Sequence, residues 1–121
     1  MIRIAIADDS SFTCRLLESY FENDENCEVV GVAHDAASAR ELVTSRRPDV
    51  LTLDLEMPGG GGLDLLEDIV SRTPVPVVVI SGVTRRAAAT TLRALELGAV
   101  DFVLKCTPDT PIAPSMLRQR A

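Results

Sequence analysis

The sequence predicts a doubly wound α/β fold, a five-stranded parallel sheet with helices on both of its faces. Five short apolar runs rich in Val and Ile alternate along the chain with stretches that repeat apolar residues at helical spacing. This alternation is typical of successive strand–helix units, whose right-handed crossovers leave the strands parallel. At 121 residues, the chain has the length of one domain with a core of its own.

Each strand is expected where an apolar run is bounded by turn or helix residues. Short runs rich in β-branched residues fit buried strands. The expected strands are Ile2–Ala7, Cys27–Ala33, Val50–Asp54, Pro76–Ser81 and Ala99–Lys105.

Four helices are expected between these strands, and capping residues mark several of their ends. Ser10 or Ser11 can cap the first helix and Asp35 the second, because a side-chain oxygen can accept hydrogen bonds from the free N–H groups of a first turn. Thr84 can cap the fourth helix. Gly98 stands where that helix is expected to stop, since glycine readily adopts the left-handed conformation of a helix end.

The end of the chain departs from the alternation of strands and helices. Three prolines interrupt the stretch after Lys105, and only Ser115–Ala121 has a helical pattern. So short a helix is marginal on its own, and we therefore expect a fifth helix that is short or missing. We assign residues 1–106 to the folded domain and residues 107–121 to a proline-rich tail, or to the start of a linker or fifth helix.

Composition and charge argue against several classes of partner. The net charge of −6 disfavours a nucleic-acid surface in this segment, and no apolar run approaches the length of a membrane span. The first apolar stretch is too short and too acidic for a secretory signal, so we expect a cytoplasmic protein. The three cysteines show no metal-ligand spacing, which favours reduced thiols.

Polar residues follow four of the five apolar runs at the point where each run ends. Asp8 and Asp9 end the first run, Asp54 the third, Ser81 the fourth and Lys105 the fifth. The carboxyl ends of parallel strands meet at one edge of the sheet, where ligands bind. We therefore expect these side chains to converge on one small site.

The chemistry of this set favours phosphoryl transfer. Neighbouring carboxylates repel one another unless a proton or a cation neutralises them, and Mg²⁺ suits one or two carboxylates together with a phosphate. A carboxylate can itself become an aspartyl phosphate, and charge on the phosphoryl oxygens must then be neutralised. Lys105, the only lysine, offers a compact ammonium that an arginine fork does not replace.

The chain resembles the receiver domain of two-component response regulators from Ile2 to Lys105. The resemblance lies in Ala7-Asp8-Asp9-Ser10, in Leu53-Asp54-Leu55-Glu56-Met57-Pro58 with Gly62 beyond, in Ile80-Ser81-Gly82, and in the stretch from Gly98 to Lys105. It implies the flavodoxin-like strand order 2-1-3-4-5, and a histidine kinase as the partner that supplies the phosphoryl group.

The resemblance also implies which residues accept the phosphoryl group and bind the metal. Asp54 would be the phosphorylation site, and the chain would catalyse only its own phosphorylation and dephosphorylation there. Asp9, Asp54 and the backbone carbonyl of Glu56 would bind Mg²⁺, with Asp8 acting mostly through water.

Two further residues would contact the phosphoryl group, and an aromatic residue would respond to it. In the family, Ser81 and Lys105 correspond to the contacting side chains. Phe102 corresponds to the aromatic whose rotamer reports phosphorylation, so that Ser81 and Phe102 would form the switch. Taken without the resemblance, Phe102 is more simply a core aromatic.

A narrower likeness links the chain to the receiver half of chemotaxis protein-glutamate methylesterases. It rests on the segments 49–58 and 91–99. In those proteins phosphorylation relieves the inhibition of an esterase domain. The sequence contains no Gly-x-Ser-x-Gly elbow, and its one histidine, His34, lies early, near a strand end. We therefore expect no esterase activity of this chain, and the implied output is a methylesterase domain or another effector.

Three positions depart from the family pattern. Cys106 follows Lys105 where the family usually has a proline in a cis peptide; a cis bond before a non-proline residue costs about 3 kcal/mol or more, so a trans bond is expected. Gly59-Gly60-Gly61-Gly62 replaces a more constrained loop, and glycines loosen a chain. Gly82 stands where the family has a small residue.

Two other functions remain open from sequence. One is a protein-interaction module that keeps the fold but has lost switching. The other is a flavodoxin-like cofactor binder, which the acidic strand ends and the few aromatic residues disfavour.

We also expect the apolar face beside the first and fifth strands to be poorly covered, including Val103 and the helix from Phe12 to Phe21. We expect the chain to form a homodimer or to exchange its tail through this face.

Overall fold

The computed structural model describes residues 1–57, 61–81 and 85–104. They form five strands and four helices in strict alternation. The strands are β1 (Ile2–Ala7), β2 (Cys27–Ala33), β3 (Val50–Asp54), β4 (Val77–Ser81) and β5 (Asp101–Leu104). The helices are α1 (Ser11–Glu22), α2 (Ala36–Arg46), α3 (Gly62–Arg72) and α4 (Arg85–Leu97). None of the helices in these residues is long and apolar enough to cross a membrane.

All neighbouring strands are parallel, and the sheet order is β2-β1-β3-β4-β5. The predicted doubly wound fold and its strand order are therefore confirmed. The fifth helix, the expected domain boundary after residue 106 and the Lys105–Cys106 peptide fall on residues outside those described, and these expectations stay predictions.

Two of the expected strands begin later than the sequence indicates. β4 begins at Val77, although the Pro76 carbonyl still accepts a hydrogen bond from Leu51. β5 begins at Asp101 rather than Ala99, because the Ala99 N–H still bonds to the Ala94 carbonyl of the preceding helix.

Capping side chains begin α1 and α2 as predicted. Ser10 accepts a hydrogen bond from the Thr13 N–H at 3.2 Å, and Asp35 accepts one from the Ser38 N–H at 2.7 Å. The hydrogen bond from Ser38 lowers the pKa of the Asp35 carboxyl below its ordinary value, and the nearby His34 lowers it further. Thr84, expected to cap α4, lies outside the described residues.

The sheet is buried on both faces, and its period-two alternation divides the core into two clusters. In β1, Ile4 and Ile6 belong to the cluster that packs against α1, whereas Ala5 and Ala7 belong to the cluster beneath the other three helices. Side chains of successive strand residues point to opposite faces, so this one short strand contributes to both halves of the core.

Strand β1 pairs with β2 through a register shift. Ile4 lies beside Val29 but Ala5 lies beside Gly31, so Val30 is an extra residue in β2. Such a bulge moves every later residue of the strand by one position along its neighbour. Its consequence is that Ala7 lies beside Ala33 at the carboxyl end of the two strands.

The expectation of a poorly covered face beside β1 and β5 is wrong for Val103. Val103 is only 1% exposed and lies in a buried cluster with Val78 and Ile80. On α1, by contrast, Phe12 is 54% exposed and Leu16 is 37% exposed. In β1, Ile2 is also 39% exposed. Exposed apolar side chains therefore remain on both β1 and α1, and self-association through this face stays a prediction.

Candidate functional site

Three carboxylates converge at the carboxyl edge of the sheet. An oxygen from each of Asp8, Asp9 and Asp54 lies within 4.8 Å of the others. Asp8 and Asp54 are 1% and 3% exposed, while Asp9 is open to solvent. The convergence predicted from the strand ends is confirmed for these three residues.

The pairing of β1 with β3 brings the carboxylates together. Ala7 lies beside Leu53 in the parallel register, so the next residues along the chain, Asp8 and Asp54, lie at the same level of the sheet edge. The Asp8 N–H remains tied to β2, because it donates to the Ala33 carbonyl at 3.0 Å. The acidic cluster is thus a product of strand register.

Each buried carboxylate also accepts a hydrogen bond from a backbone amide two residues further along the chain. The Ser10 N–H donates to Oδ1 of Asp8 at 2.8 Å, and the Glu56 N–H donates to Oδ1 of Asp54 at 3.0 Å. This local turn is common for aspartate. Because each bond fixes one oxygen of its carboxylate, it orients the carboxylate relative to the cluster.

The cluster has the donor set of a hard divalent cation. Oxygens bound to one Mg²⁺ lie about 2.1 Å from it, and therefore at most about 4.2 Å from each other. Oxygens within 4.8 Å of one another can meet that requirement with little movement, or through one bridging water. Three carboxylates held this closely repel one another, so a cation would relieve a repulsion that the fold itself creates.

An open cleft lies beside Asp54, between β4 and α4. Asp54, Glu56, Ile80, Ala87 and Thr91 are among its lining residues. Asp54 thus forms part of the wall of a small cleft on the side facing α4.

The other predicted site residues lie around this edge or outside the described chain. Glu56 is exposed two residues after Asp54, and Ser81 is the last residue of β4. Phe102, in β5, is partly buried against the core cluster beneath α2, α3 and α4. Lys105 follows β5 and lies outside the described residues, so its contacts stay predicted.

One contact at this edge was missed by the sequence analysis. Nδ1 of His34 lies 2.9 Å from the backbone carbonyl oxygen of Asp8, and the Cys14 thiol donates to the same oxygen at 3.3 Å. A histidine directly after a predicted strand was a visible signal. Its partner, however, depends on the bulge in β2, which the sequence does not mark.

Comparison with known proteins agrees with this geometry. A family model of the response regulator receiver domain matches residues 4–116, which is most of the chain. The chain belongs to the response regulator receiver family. The resemblance noted from its motifs is therefore confirmed.

Curated relatives of this receiver domain include enzymes named for two activities. The protein-glutamate methylesterase/protein-glutamine glutaminase of Thiobacillus denitrificans is 47% identical over 116 residues, covering 96% of the chain and 32% of that relative. The protein of the same name from Ralstonia nicotianae is 50% identical over 104 residues, covering 86% of the chain and 27% of that relative. The receiver domain thus spans about a third of the length of these relatives.

Solved structures show the same fold. The response regulator domain of Thermotoga maritima CheB matches with a TM-score of 0.84 at 34% identity, over 98% of this chain and 92% of that one. The REC domain of AraT, a response regulator from Geobacillus stearothermophilus, matches with a TM-score of 0.82 at 32% identity, over 98% and 88% of the two chains. The predicted likeness to a methylesterase receiver is confirmed by both kinds of relative.

Proposed function

We propose that this receiver domain accepts a phosphoryl group on Asp54 from a histidine kinase and thereby switches an output. The observation that carries the proposal is the buried Asp54 carboxylate, which lies close to two other aspartates and beside a cleft. A carboxylate can accept a phosphoryl group, and the neighbouring aspartates are suited to binding a cation that neutralises the added charge.

In the transfer, a carboxylate oxygen of Asp54 attacks phosphorus while the bond from phosphorus to the donor imidazole breaks. The electron pair of that bond leaves with the imidazole nitrogen, and an acyl phosphate forms on Asp54. The Glu56 N–H, 3.0 Å from Oδ1 of Asp54, holds the carboxylate in one orientation during the attack. Positioning and charge neutralisation are the main requirements of such a transfer.

We assign the metal site to Asp9, Asp54 and the Glu56 carbonyl, with Asp8 acting through water. Bound Mg²⁺ would neutralise charge on the phosphoryl oxygens. Asp9 is the exposed member of the cluster, and its carboxylate can bind an ion that keeps part of its water shell. Asp8 is buried, and its negative charge would attract the cation without direct coordination.

Ser81 and Lys105 are assigned to the phosphoryl oxygens, and Phe102 to the response. Ser81 ends β4 next to Leu104 of β5, so both strands lead to the edge where Asp54 lies. Phe102 is partly buried against the core cluster that includes Ala94 of α4. A partly buried aromatic on an edge strand can change rotamer without opening the core.

The output that we propose is a methylesterase-type domain elsewhere in the full-length protein. Support comes from curated relatives with that activity, of which the receiver covers about a third. We place the protein in the cytoplasm, where the donor kinase presents its phosphohistidine.

Labelling with radioactive acetyl phosphate tests the phosphorylation site. Wild type should incorporate label in the presence of Mg²⁺, and Asp54→Asn should incorporate none while keeping its circular dichroism spectrum. Asp49→Asn is the matched control, because Asp49 lies before the other end of the same strand and should label normally. Undiminished labelling of Asp54→Asn rejects the assignment. A wild type that neither labels nor binds beryllofluoride supports the alternative of a non-switching interaction module.

A further inference from the structure

The Asp8 carbonyl oxygen is held by two side chains from different elements. Nδ1 of His34 lies 2.9 Å from it, and Sγ of Cys14 lies 3.3 Å from it. A carbonyl oxygen can only accept, so Nδ1 must carry the proton in this contact. The imidazole is the stronger donor of the two, because a thiol is a weak one.

This contact exists because β2 contains its extra residue. Ile2 lies beside Cys27, and without the bulge the same register would place Ala33 beside Asp8. The shift instead puts Ala33 beside Ala7 and brings His34 level with Asp8. A slip of one residue also exchanges the faces of a strand, so the bulge decides which side chain reaches the Asp8 carbonyl.

The bonded oxygen belongs to the peptide group that joins Asp8 to Asp9. A peptide group is planar, so fixing its carbonyl also fixes the direction in which the chain leaves Asp8. The Asp8 N–H is anchored to the Ala33 carbonyl, which secures the preceding peptide group. Without the hydrogen bonds to the Asp8 carbonyl, the position of the exposed Asp9 would depend on its own rotamer and on the geometry of the local turn.

We propose that His34 is a positioning residue for the metal site. It orients the Asp8–Asp9 peptide so that both carboxylates face Asp54, and Cys14 assists from the buried side of α1. The inference rests on the proposed function, since it concerns affinity for the cation that the acidic cluster would hold. His34 acts through backbone and is assigned no contact with the cation or the phosphoryl group.

The test compares two substitutions at His34, a surface position where neither is expected to unfold the domain. His34→Leu removes the donor. His34→Asn keeps an N–H donor at about the distance of Nδ1 from the backbone. Mg²⁺ affinity is measured by NMR from the amide shifts of Asp9 and Ser10 during titration, and separately from the Mg²⁺ concentration that gives half-maximal labelling by acetyl phosphate.

His34→Leu should weaken Mg²⁺ binding by about threefold to tenfold, at or below the low end of losses seen when groups supporting a metal ligand are removed. His34→Asn should restore most of the affinity, with melting temperatures of the two variants alike. Unchanged Mg²⁺ affinity in His34→Leu overturns the inference, and so does an equal loss in both variants. Failure of wild type to bind Mg²⁺ or to label would instead reject the proposed function.

Discussion

Gly62 packs directly against the backbone of Leu55. A Cβ placed on Gly62 would stand 2.6 Å from the Leu55 carbonyl oxygen and 2.9 Å from its Cα. The first turn of α3 therefore closes onto the residue that follows Asp54, and only a residue without a side chain permits that approach. Gly61, just before it, has φ 83°, in the left-handed region that favours glycine.

Gly62→Ala should destabilise the domain, because the obstructing atoms belong to backbone and cannot rotate away. We expect a loss of about 1–3 kcal/mol in the free energy of unfolding, the usual cost of overpacking a rigid site. Gly31→Ala is the matched control: its Cβ would meet a methyl group of Leu42, which can change rotamer, so the loss should be smaller. Urea denaturation of both variants decides, and an equal or larger loss in Gly31→Ala would contradict the argument.

The roles of the glycines in the run 59–62 could be predicted from the sequence only in part. The run 59–62 was expected to loosen its loop, yet two of its members have defined tasks, Gly61 at its positive φ and Gly62 at its close approach. A sequence shows which residues are glycine, but it does not show which atoms pack against each of them. The close approach depends on how α3 returns to the sheet, which is a matter of tertiary packing.

The acidic cluster was predictable for a different reason. Asp8, Asp9 and Asp54 end apolar runs, and parallel topology brings such ends to one edge. His34 was not foreseen as a neighbour of the cluster, because the bulge at Val30 sets the alignment of β2 with β1. Cys14 was not foreseen either, because its contact depends on how α1 packs beside Asp8. The coverage of Val103 was also mispredicted, because that expectation followed from a short or missing fifth helix and not from the packing around Val103 itself.

Asp9→Ala should raise the Mg²⁺ concentration needed for labelling by about tenfold or more, because it removes a direct oxygen ligand. Asp9 is exposed, so little packing is lost. Glu22→Ala, at the far end of α1, makes the same change in net charge and should leave the Mg²⁺ dependence unchanged. Labelling across a Mg²⁺ series measures both variants, and the same half-saturation in Asp9→Ala as in wild type would count against the assigned role.

Lys105→Arg should impair switching although it conserves charge, since a planar guanidinium cannot occupy the place of a compact ammonium. Lys105 lies outside the described residues, and the prediction follows from its position after β5 in the sequence. Beryllofluoride with Mg²⁺ supplies the phosphoryl mimic, and the ring resonances of Phe102 report the response by NMR. An equal displacement of those resonances in wild type and variant would show that the ammonium is not required.

The capping carboxylate of Asp35 should make stability depend on pH in the acid range. The Ser38 hydrogen bond holds its pKa below the ordinary 3.8. The resulting stabilisation is therefore fully present above that value and is lost as pH falls through the lower folded-state pKa. Asp35→Asn keeps a capping oxygen but does not titrate. Urea denaturation at several pH values should show the advantage of wild type over Asp35→Asn shrinking below pH 3.8; a constant difference would reject this linkage.

Self-association should depend on the apolar patch at the start of α1. Phe12 and Leu16 are 54% and 37% exposed and lie four residues apart, which places them side by side on one helix face. We expect wild type to form dimers at high concentration, or to exchange residues 107–121 through this face, and Phe12→Ser to shift the equilibrium toward monomer. Leu92→Ser is the control, because Leu92 is 63% exposed but lies on α4. Light scattering over a concentration series measures the molecular mass. A wild type that stays monomeric at all concentrations would contradict this prediction, and so would an equal effect of Leu92→Ser.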